Sequence, residues 1–330
     1  MTFDSQNLSS KMELEEHRIS ALLPVKNAAP YLKSNLVRIL DSISQADELV
    51  IVDDGSTDGS SEILSNYARL DSRILLIKGS GTGLVDALNL GIAETSNEWI
   101  ARYDADDTYD INRIHLQRQR IQSRVVGIFS DYSVHSQSGT NLGHIESGVI
   151  SQVVSVSLVS SQRTAHPSVL LNKTALLQSG AYRSSDFPAE DLSLWLRLAK
   201  VGDLISIPLN LLNYQLTPGS ITSTKRKASL QKKAELLTEI PVSREAITFT
   251  LENWQDIFSR YDKWSSPVRR KILMLKDLRN IEAVYGLDMQ QKKLLKEIQK
   301  NILFNPKSQY ALMQMAKEKC MRAYVRRMIR

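Results

Sequence analysis

Three carboxylate clusters could do chemistry in this chain. Asp104-Ala105-Asp106-Asp107 places three acids within four residues. Charges that close repel one another unless a cation sits among them. Hard divalent ions such as Mg2+ and Mn2+ take oxygen ligands. Asp104, Asp106 and Asp107 are therefore candidate metal ligands, with a diphosphate to complete the shell. The alternative is a solvated acidic loop that caps a helix starting near Ile111. The second cluster is Asp53-Asp54-Gly55-Ser56-Thr57-Asp58. Asp53 and Asp54 could accept hydrogen bonds from a base N–H or from ribose hydroxyls. Equally, these residue types make turns, and Ser56 or Asp58 could cap the next helix. The third is Glu190-Asp191, just before an apolar helical stretch. A carboxylate there could remove a proton from an acceptor hydroxyl. Taken alone, Asp191 reads better as a helix N-cap.

The elements that must position these clusters follow from hydrophobic spacing. Ile19 to Pro24 reads as a buried strand, and Pro30 suits the first turn of a helix with Leu32, Leu36, Ile39 and Leu40 on one face. Further strands are expected at Glu48 to Val52, Ile74 to Ile77 and Trp99 to Tyr103, with helices at Ser60 to Tyr67 and Gly83 to Ala93. That alternation predicts an α/β fold with a mostly parallel sheet and helices on both faces. Ligands bind beyond the carboxyl ends of such strands, where the first two acidic clusters fall. From Val125 the pattern changes. A strand is expected over Val125 to Tyr132, a hairpin or mobile loop over 133–165, and a strand at Val169 to Leu171. A helix follows near Lys173–Ser179, another over Leu192 to Val201, and a last strand over Leu211 to Leu216. After Thr224 the spacing predicts helices only.

Composition sets outer bounds. The chain has 330 residues, 42% hydrophobic and 24% charged, which suits a globular protein of about two domains. One cysteine, Cys320, excludes a disulfide framework and is too few for a structural zinc site. No apolar stretch approaches the roughly 18 residues that span a bilayer. Met1 to Arg18 has no apolar core of a signal peptide, so the cytoplasm is the expected compartment. Charge is unevenly spread: residues 1–224 hold 18 Lys and Arg against 25 Asp and Glu, while residues 225–330 hold 24 against 11. An acidic first part and a basic tail suggest two jobs.

As an ordered set, these pieces resemble the family-2 glycosyltransferases of the GT-A fold. The matching segments are Leu23-Pro24-Val25-Lys26-Asn27, then Val52 to Asp58, Gly83 to Ile92, and Ile100 to Asp107. His166-Pro167-Ser168-Val169 and Glu190 to Leu196 complete the set, over residues 18–222. The resemblance implies a Rossmann-like nucleotide-binding sandwich and an inverting, metal-dependent transfer from a nucleotide-diphosphate-sugar donor. It implies that Pro24, Asn27, Asp53 and Asp54 line the nucleotide pocket. Asp104 and Asp106 are its Asp-x-Asp pair, with Asp107 beside them, for the ribose and the Mn2+- or Mg2+-bound diphosphate. It implies that Asp191 is the catalytic base, which overturns the simple capping role. Arg102 could reach the diphosphate or pair with an acidic neighbour, and His166 falls on the acceptor side.

Two departures matter. Where many relatives carry a Tyr-Arg-x-His-like segment, this chain reads Tyr214-Gln215-Leu216-Thr217, which removes one metal or diphosphate contact. The Gln-x-x-Arg-Trp motif of processive members is absent, so single addition is expected. The implied partners are a nucleotide-sugar donor and a glycan or lipid-linked acceptor, with no nucleic acid. The implied organisation is an N-terminal extension at 1–17, a catalytic domain at 18–224 and a basic helical region at 225–330. In the tail, Met313, Ala316, Cys320, Tyr324 and Met328 recur at helical spacing among Lys317, Lys319, Arg322, Arg326, Arg327 and Arg330. Such a stripe is favoured as core; the second reading is a peripheral contact with an anionic membrane face. Two rivals remain: a nucleotidyltransferase, which would want a glycine-rich loop near the N-terminus, and a non-catalytic protein that keeps the fold.

Overall fold

The computed structural model describes residues 17–145, 147, 164–217, 220 and 224–239, and seven positions within 289–297 (289, 290, 292, 293 and 295–297). Two compact units divide the chain: 1–154 with 162–236, and 155–161 with 237–330. The first holds every sheet element described below.

Strand β1 (Ile19–Val25) lies at the centre of a parallel group, flanked by β2 (Glu48–Asp53) and β4 (Trp99–Arg102), with β3 (Ile74–Lys78) outside β2. Side chains alternate between the faces of a strand, and both faces of β1 are covered. Ile19, Ala21 and Leu23 pack with Leu32, Leu36 and Ile39 of α1 (Ala29–Ser42). On the other face lies α3 (Leu84–Glu94), where Gly91 comes so close that a Cβ would meet Leu22 and Val52 at 2.2 and 3.1 Å. Helix α2 (Ser60–Leu70) links β2 to β3.

Beyond β4 the sheet departs from expectation. Its order is β3-β2-β1-β4, then β8 (Leu170–Asn172), β6 (Val125–His135), β9 (Asp203–Gln215) and β5 (Thr108–Tyr109), with β7 (Asn141–Ile145) paired to β6. Strand β8 runs antiparallel between β4 and β6. Strand β9 is parallel to β6, while β5 and β7 pair antiparallel to β9 and β6. The mostly parallel sheet is thus corrected to a mixed one. The helix-linked alternation that enforces parallel strands ends at β4. The chain then turns back through the β6–β7 hairpin and the single-turn helix His166–Ser168, so β8 arrives from the opposite end.

The short helices are α4 (Arg113–Arg118), α5 (Lys173–Gln178) and α6 (Glu190–Leu198), followed by α7 (Arg226–Glu239). Helix α4 starts two residues after the expected Ile111. The last strand starts at Asp203 rather than Leu211, because Pro208 and Leu209 are absorbed where the β6–β9 register slips between Ile207 and Asn210; such a slip tolerates a proline inside a strand. No helix among the described residues is long and apolar enough to cross a membrane. Residues 1–16 of the expected N-terminal extension at 1–17, residues 148–163 of the expected hairpin or loop at 133–165, and the basic stripe from Ser308 to Arg330 lie outside the described residues.

Candidate functional site

The carboxyl ends of β1, β2 and β4 bring the first two acidic clusters to one edge. Val25 pairs with Asp53 in register, and the Tyr103 N–H donates to the Leu22 carbonyl at 2.9 Å. The sheet therefore places Asp54 and Asp104 on the side where an open α/β sheet binds ligands.

Around Asp53 and Asp54 the carboxylates build loops. Asp53 accepts the Ser56 N–H at 3.1 Å and a short hydrogen bond from the Ser61 hydroxyl. Asp54 is 3% exposed, and its two oxygens accept the N–H groups of Gly81 (2.8 Å) and Gly83 (2.9 Å). The Lys26 ammonium stands 3.4 Å from the same carboxylate. This pins the Gly79–Gly83 loop, with Gly81 and Gly83 at φ +76° and +116°, against the start of α3. Asn27 adopts a positive φ of 53° and its side-chain oxygen accepts the Thr57 N–H at 2.8 Å. Pro24 lies within β1, opposite Val52. The expected caps of α2 are corrected: its N-cap residue is Gly59, whereas Asp58 accepts from Ala29 and Ser60 and the Ser56 hydroxyl accepts from Asn27. Sequence reasoning missed the Gly79-Ser80-Gly81-Thr82-Gly83 loop, although its alternating glycines were a visible signal.

The second cluster converges. Oxygen atoms of Asp104, Asp106 and Asp107 lie within 4.8 Å of one another. Each carboxylate is held differently. Asp104 pairs with Arg102 at 2.5 Å. Asp106 accepts the Thr217 hydroxyl at 2.7 Å. Asp107 is 1% exposed and accepts the Gln215 N–H at 2.7 Å through Oδ1, while its Oδ2 is buried with no hydrogen-bond partner. Burial pushes the Asp107 carboxyl well above its usual range, and the charges of Asp104 and Asp106 push it further. Burial also raises Asp104; Arg102 opposes the rise and Asp106 adds to it. An unpartnered carboxylate oxygen facing two more carboxylates fits a divalent cation, which would supply the missing partner and offset the repulsion. The acidic-loop alternative does not fit, because a solvated loop would not bury Asp107.

Of the two contacts expected of Arg102, the structure shows the acidic one. The guanidinium is buried against Asp104 rather than extended into solvent. Burial disfavours its charge, but Asp104, Tyr109 and Tyr182 together outweigh this and hold the guanidinium above its ordinary value.

The third cluster heads α6. Its N-cap is Ala189, so Asp191 is corrected from N-cap to second helical residue, where its Oδ1 accepts the Leu192 N–H at 2.7 Å. Asp191 is partly exposed, whereas Glu190 is 6% exposed. Burial, helped by the Asp191 charge, pushes the Glu190 carboxyl up to about 7. His166 is buried, its Nε2 2.6 Å from the Tyr182 hydroxyl and its ring edge-on to Trp195 of α6. Burial, with the Arg102 charge second, holds this imidazole neutral, well below its usual range. Tyr182 escaped sequence reasoning, whereas the Tyr214–Thr217 segment was singled out only for a lost contact, and in the structure it supplies the Gln215 N–H and the Thr217 hydroxyl to the cluster. No motif marks Tyr182; only the fold brings it in.

Residues 20–169 match the model of Glycosyl transferase family 2. Over that span the chain is similar to the family-2 glycosyltransferases. The chain also has curated relatives. An uncharacterised glycosyltransferase of Rickettsia conorii is 28% identical over 221 residues, 66% of this chain and 36% of its own length. TuaG of Bacillus subtilis, whose name assigns it provisionally to teichuronic acid biosynthesis, is also 28% identical over 221 residues, 64% of this chain and 84% of its own length. The chain spans only 28–36% of the length of the first three relatives it matches. Among solved structures, Staphylococcus aureus TarS 1-349 in complex with UDP-GlcNAc superposes at TM-score 0.57 with 13% identity, over 93% of this chain and 89% of that one. The mannosyltransferase PcManGT from Pyrobaculum calidifontis, in complex with GDP-Man and Mn2+, gives 0.53 with 15% identity, over 90% and 84%. At these identities the likeness is one of fold: an α/β GT-A-like fold built on a central mixed sheet.

Proposed function

We propose that this domain moves a sugar from a nucleotide-diphosphate donor to an acceptor hydroxyl, with inversion at the anomeric carbon. The observation that carries the reading is the triple-carboxylate turn, with its buried, unpartnered Asp107 oxygen. Asp104, Asp106 and Asp107 are the residues that would hold Mn2+ or Mg2+. When bound, such an ion neutralises charge on a departing diphosphate. Pro24, Asn27 and the Asp53–Asp54 turn form the edge proposed for the nucleoside. Arg102 keeps Asp104 paired, which lowers the repulsion that a bound ion would have to offset.

Asp191 is proposed as the base. It takes the proton of the acceptor hydroxyl as that oxygen bonds to the anomeric carbon. The bond between that carbon and the diphosphate oxygen breaks, and the diphosphate leaves with the electron pair. Glu190, about half protonated near neutrality, adds less than a full second charge beside Asp191. His166 stays neutral on Tyr182 and serves as packing beneath α6.

UDP-sugars are the first donors to test, given the bound UDP-GlcNAc of TarS, and GDP-mannose the next, given PcManGT. A glycan or lipid-linked acceptor in polysaccharide assembly fits the naming of TuaG. The division into a catalytic region at 18–224 and a basic region at 225–330 belongs to the same proposal, as does a cytoplasmic location.

The test is a donor-hydrolysis and transfer screen with wild type and Asp191→Asn. Loss of transfer by about 10³-fold or more is expected, in the upper range for removing a general base, with donor affinity retained. Undiminished transfer by Asp191→Asn would remove Asp191 from the reaction.

A further inference from the structure

The carboxylate turn is held by side chains that contribute no metal ligand. Tyr109 is 2% exposed and follows the turn by two residues. Its hydroxyl oxygen accepts the Asp104 N–H at 2.6 Å and donates back to the Asp104 carbonyl at 3.3 Å. One phenol thus closes both backbone groups of the first carboxylate in the turn.

The phenol is itself fixed. Its ring stands edge-on to Tyr103, with centroids 4.5 Å apart. The fully buried Arg113 guanidinium lies over both rings, 4.4 Å from the Tyr103 centroid and 5.0 Å from that of Tyr109. Arg113 cannot drift. Its NH2 donates to the Val169 carbonyl at 3.1 Å and its Nε to the Gln117 side-chain oxygen at 3.0 Å. Gln117 in turn donates to the carbonyls of Ile128 (2.7 Å) and Ser168 (2.8 Å). Pairing of Tyr109 with Leu212 in the β5–β9 ladder fixes its backbone. On the opposite side, Asn35 of α1 donates to the Ala105 carbonyl at 2.6 Å.

We propose that Tyr109, clamped by Arg113 and Tyr103, is the positioning residue that sets the geometry of the Asp104–Asp107 turn for a divalent cation. It touches neither substrate nor metal. Its part is to keep three mutually repelling carboxylates converged in the metal-free protein, so that binding requires no rearrangement of the backbone. Outer partners of this kind tune affinity without ligating. The inference rests on the metal-site reading above.

The experiment titrates Mn2+ alone into the full chain, followed by calorimetry or by the electron paramagnetic resonance signal of free Mn2+. Wild type, Tyr109→Phe and Tyr103→Phe are compared, with melting curves for each. Tyr103→Phe is the matched control: it removes a buried phenol oxygen from the same ring stack, but one that bonds Ser42 at 3.2 Å and not the turn. The expected result is a Kd for Mn2+ weakened roughly 10–100-fold in Tyr109→Phe, the usual range for lost outer partners. Tyr103→Phe should melt lower but bind as wild type. Equal Mn2+ affinity in Tyr109→Phe and wild type overturns the inference, and so does equal weakening in both variants, which would signal general loosening. Absence of Mn2+ binding by the wild type is a different failure: it removes the metal-site reading and this inference falls with it.

Discussion

Asp107 concentrates the conflict between stability and function at this site. Its carboxylate is buried, one oxygen is unpartnered, and two acids face it. Asp107→Asn keeps the shape and removes one of the repelling charges. The expected outcome is a metal-free protein at least as stable as wild type, with melting raised by about 2–4 °C for each kcal/mol gained, and Mn2+ binding weakened. Calorimetry of metal-free and Mn2+-loaded samples checks both; a variant that melts lower without metal contradicts the repulsion. Glu190 makes a pH prediction. Its carboxyl titrates near 4.5 when unperturbed and near 7 in the fold. Between those values the folded state holds a proton that the unfolded state has released, so stability falls as pH rises from about 4.5 to about 7. Glu190→Gln should flatten that decline, as read by urea denaturation across the window; an unchanged slope would place the proton elsewhere. The sequence exposed all three acidic clusters because carboxylates at strand ends are visible in one dimension. It could not tell which oxygens are already bound. Asp54 looks free in the sequence, yet both its oxygens hold glycine N–H groups 27 and 29 residues away.

The elements impose constraints of their own. Helix α3 lies flat on β1 and β2 only because Gly91 has no side chain. Gly91→Ala should destabilise by about 1–3 kcal/mol, the usual cost of overpacking, measured by urea denaturation with the slope unchanged. A neutral outcome would mean that Leu22 yields without cost. The first four strands and three helices were readable from apolar spacing, within one to three residues at their ends. Local alternation carries that signal, and burial on both faces makes it strong. The reversal at β8 was not readable. A three-residue apolar segment reads the same in either direction, and its orientation is decided by the hairpin and single-turn helix before it. The two-residue β5 is too short to have a period, yet it supplies Tyr109. The Thr217 hydroxyl that holds Asp106 comes from the end of β9, more than a hundred residues away, and no spacing rule reaches that far.

At the scale of the whole molecule, the acidic first part and the basic residues 225–330 remain the main asymmetry. If the tail is a helical packing region with solvated charges, the full chain should not float with anionic liposomes at physiological salt. Salt-sensitive flotation would instead move the acceptor reading toward a lipid-linked substrate. The central claim is that the Asp104–Asp107 turn makes this domain a metal-dependent binder of a nucleotide-diphosphate donor. Calorimetric titration of UDP, then GDP, into the full chain, with Mn2+ and with EDTA, tests it most directly. Saturable binding of at least one of them is predicted, lost in EDTA and lost in Asp106→Ala. Binding of neither, or binding of equal strength in EDTA, would contradict it.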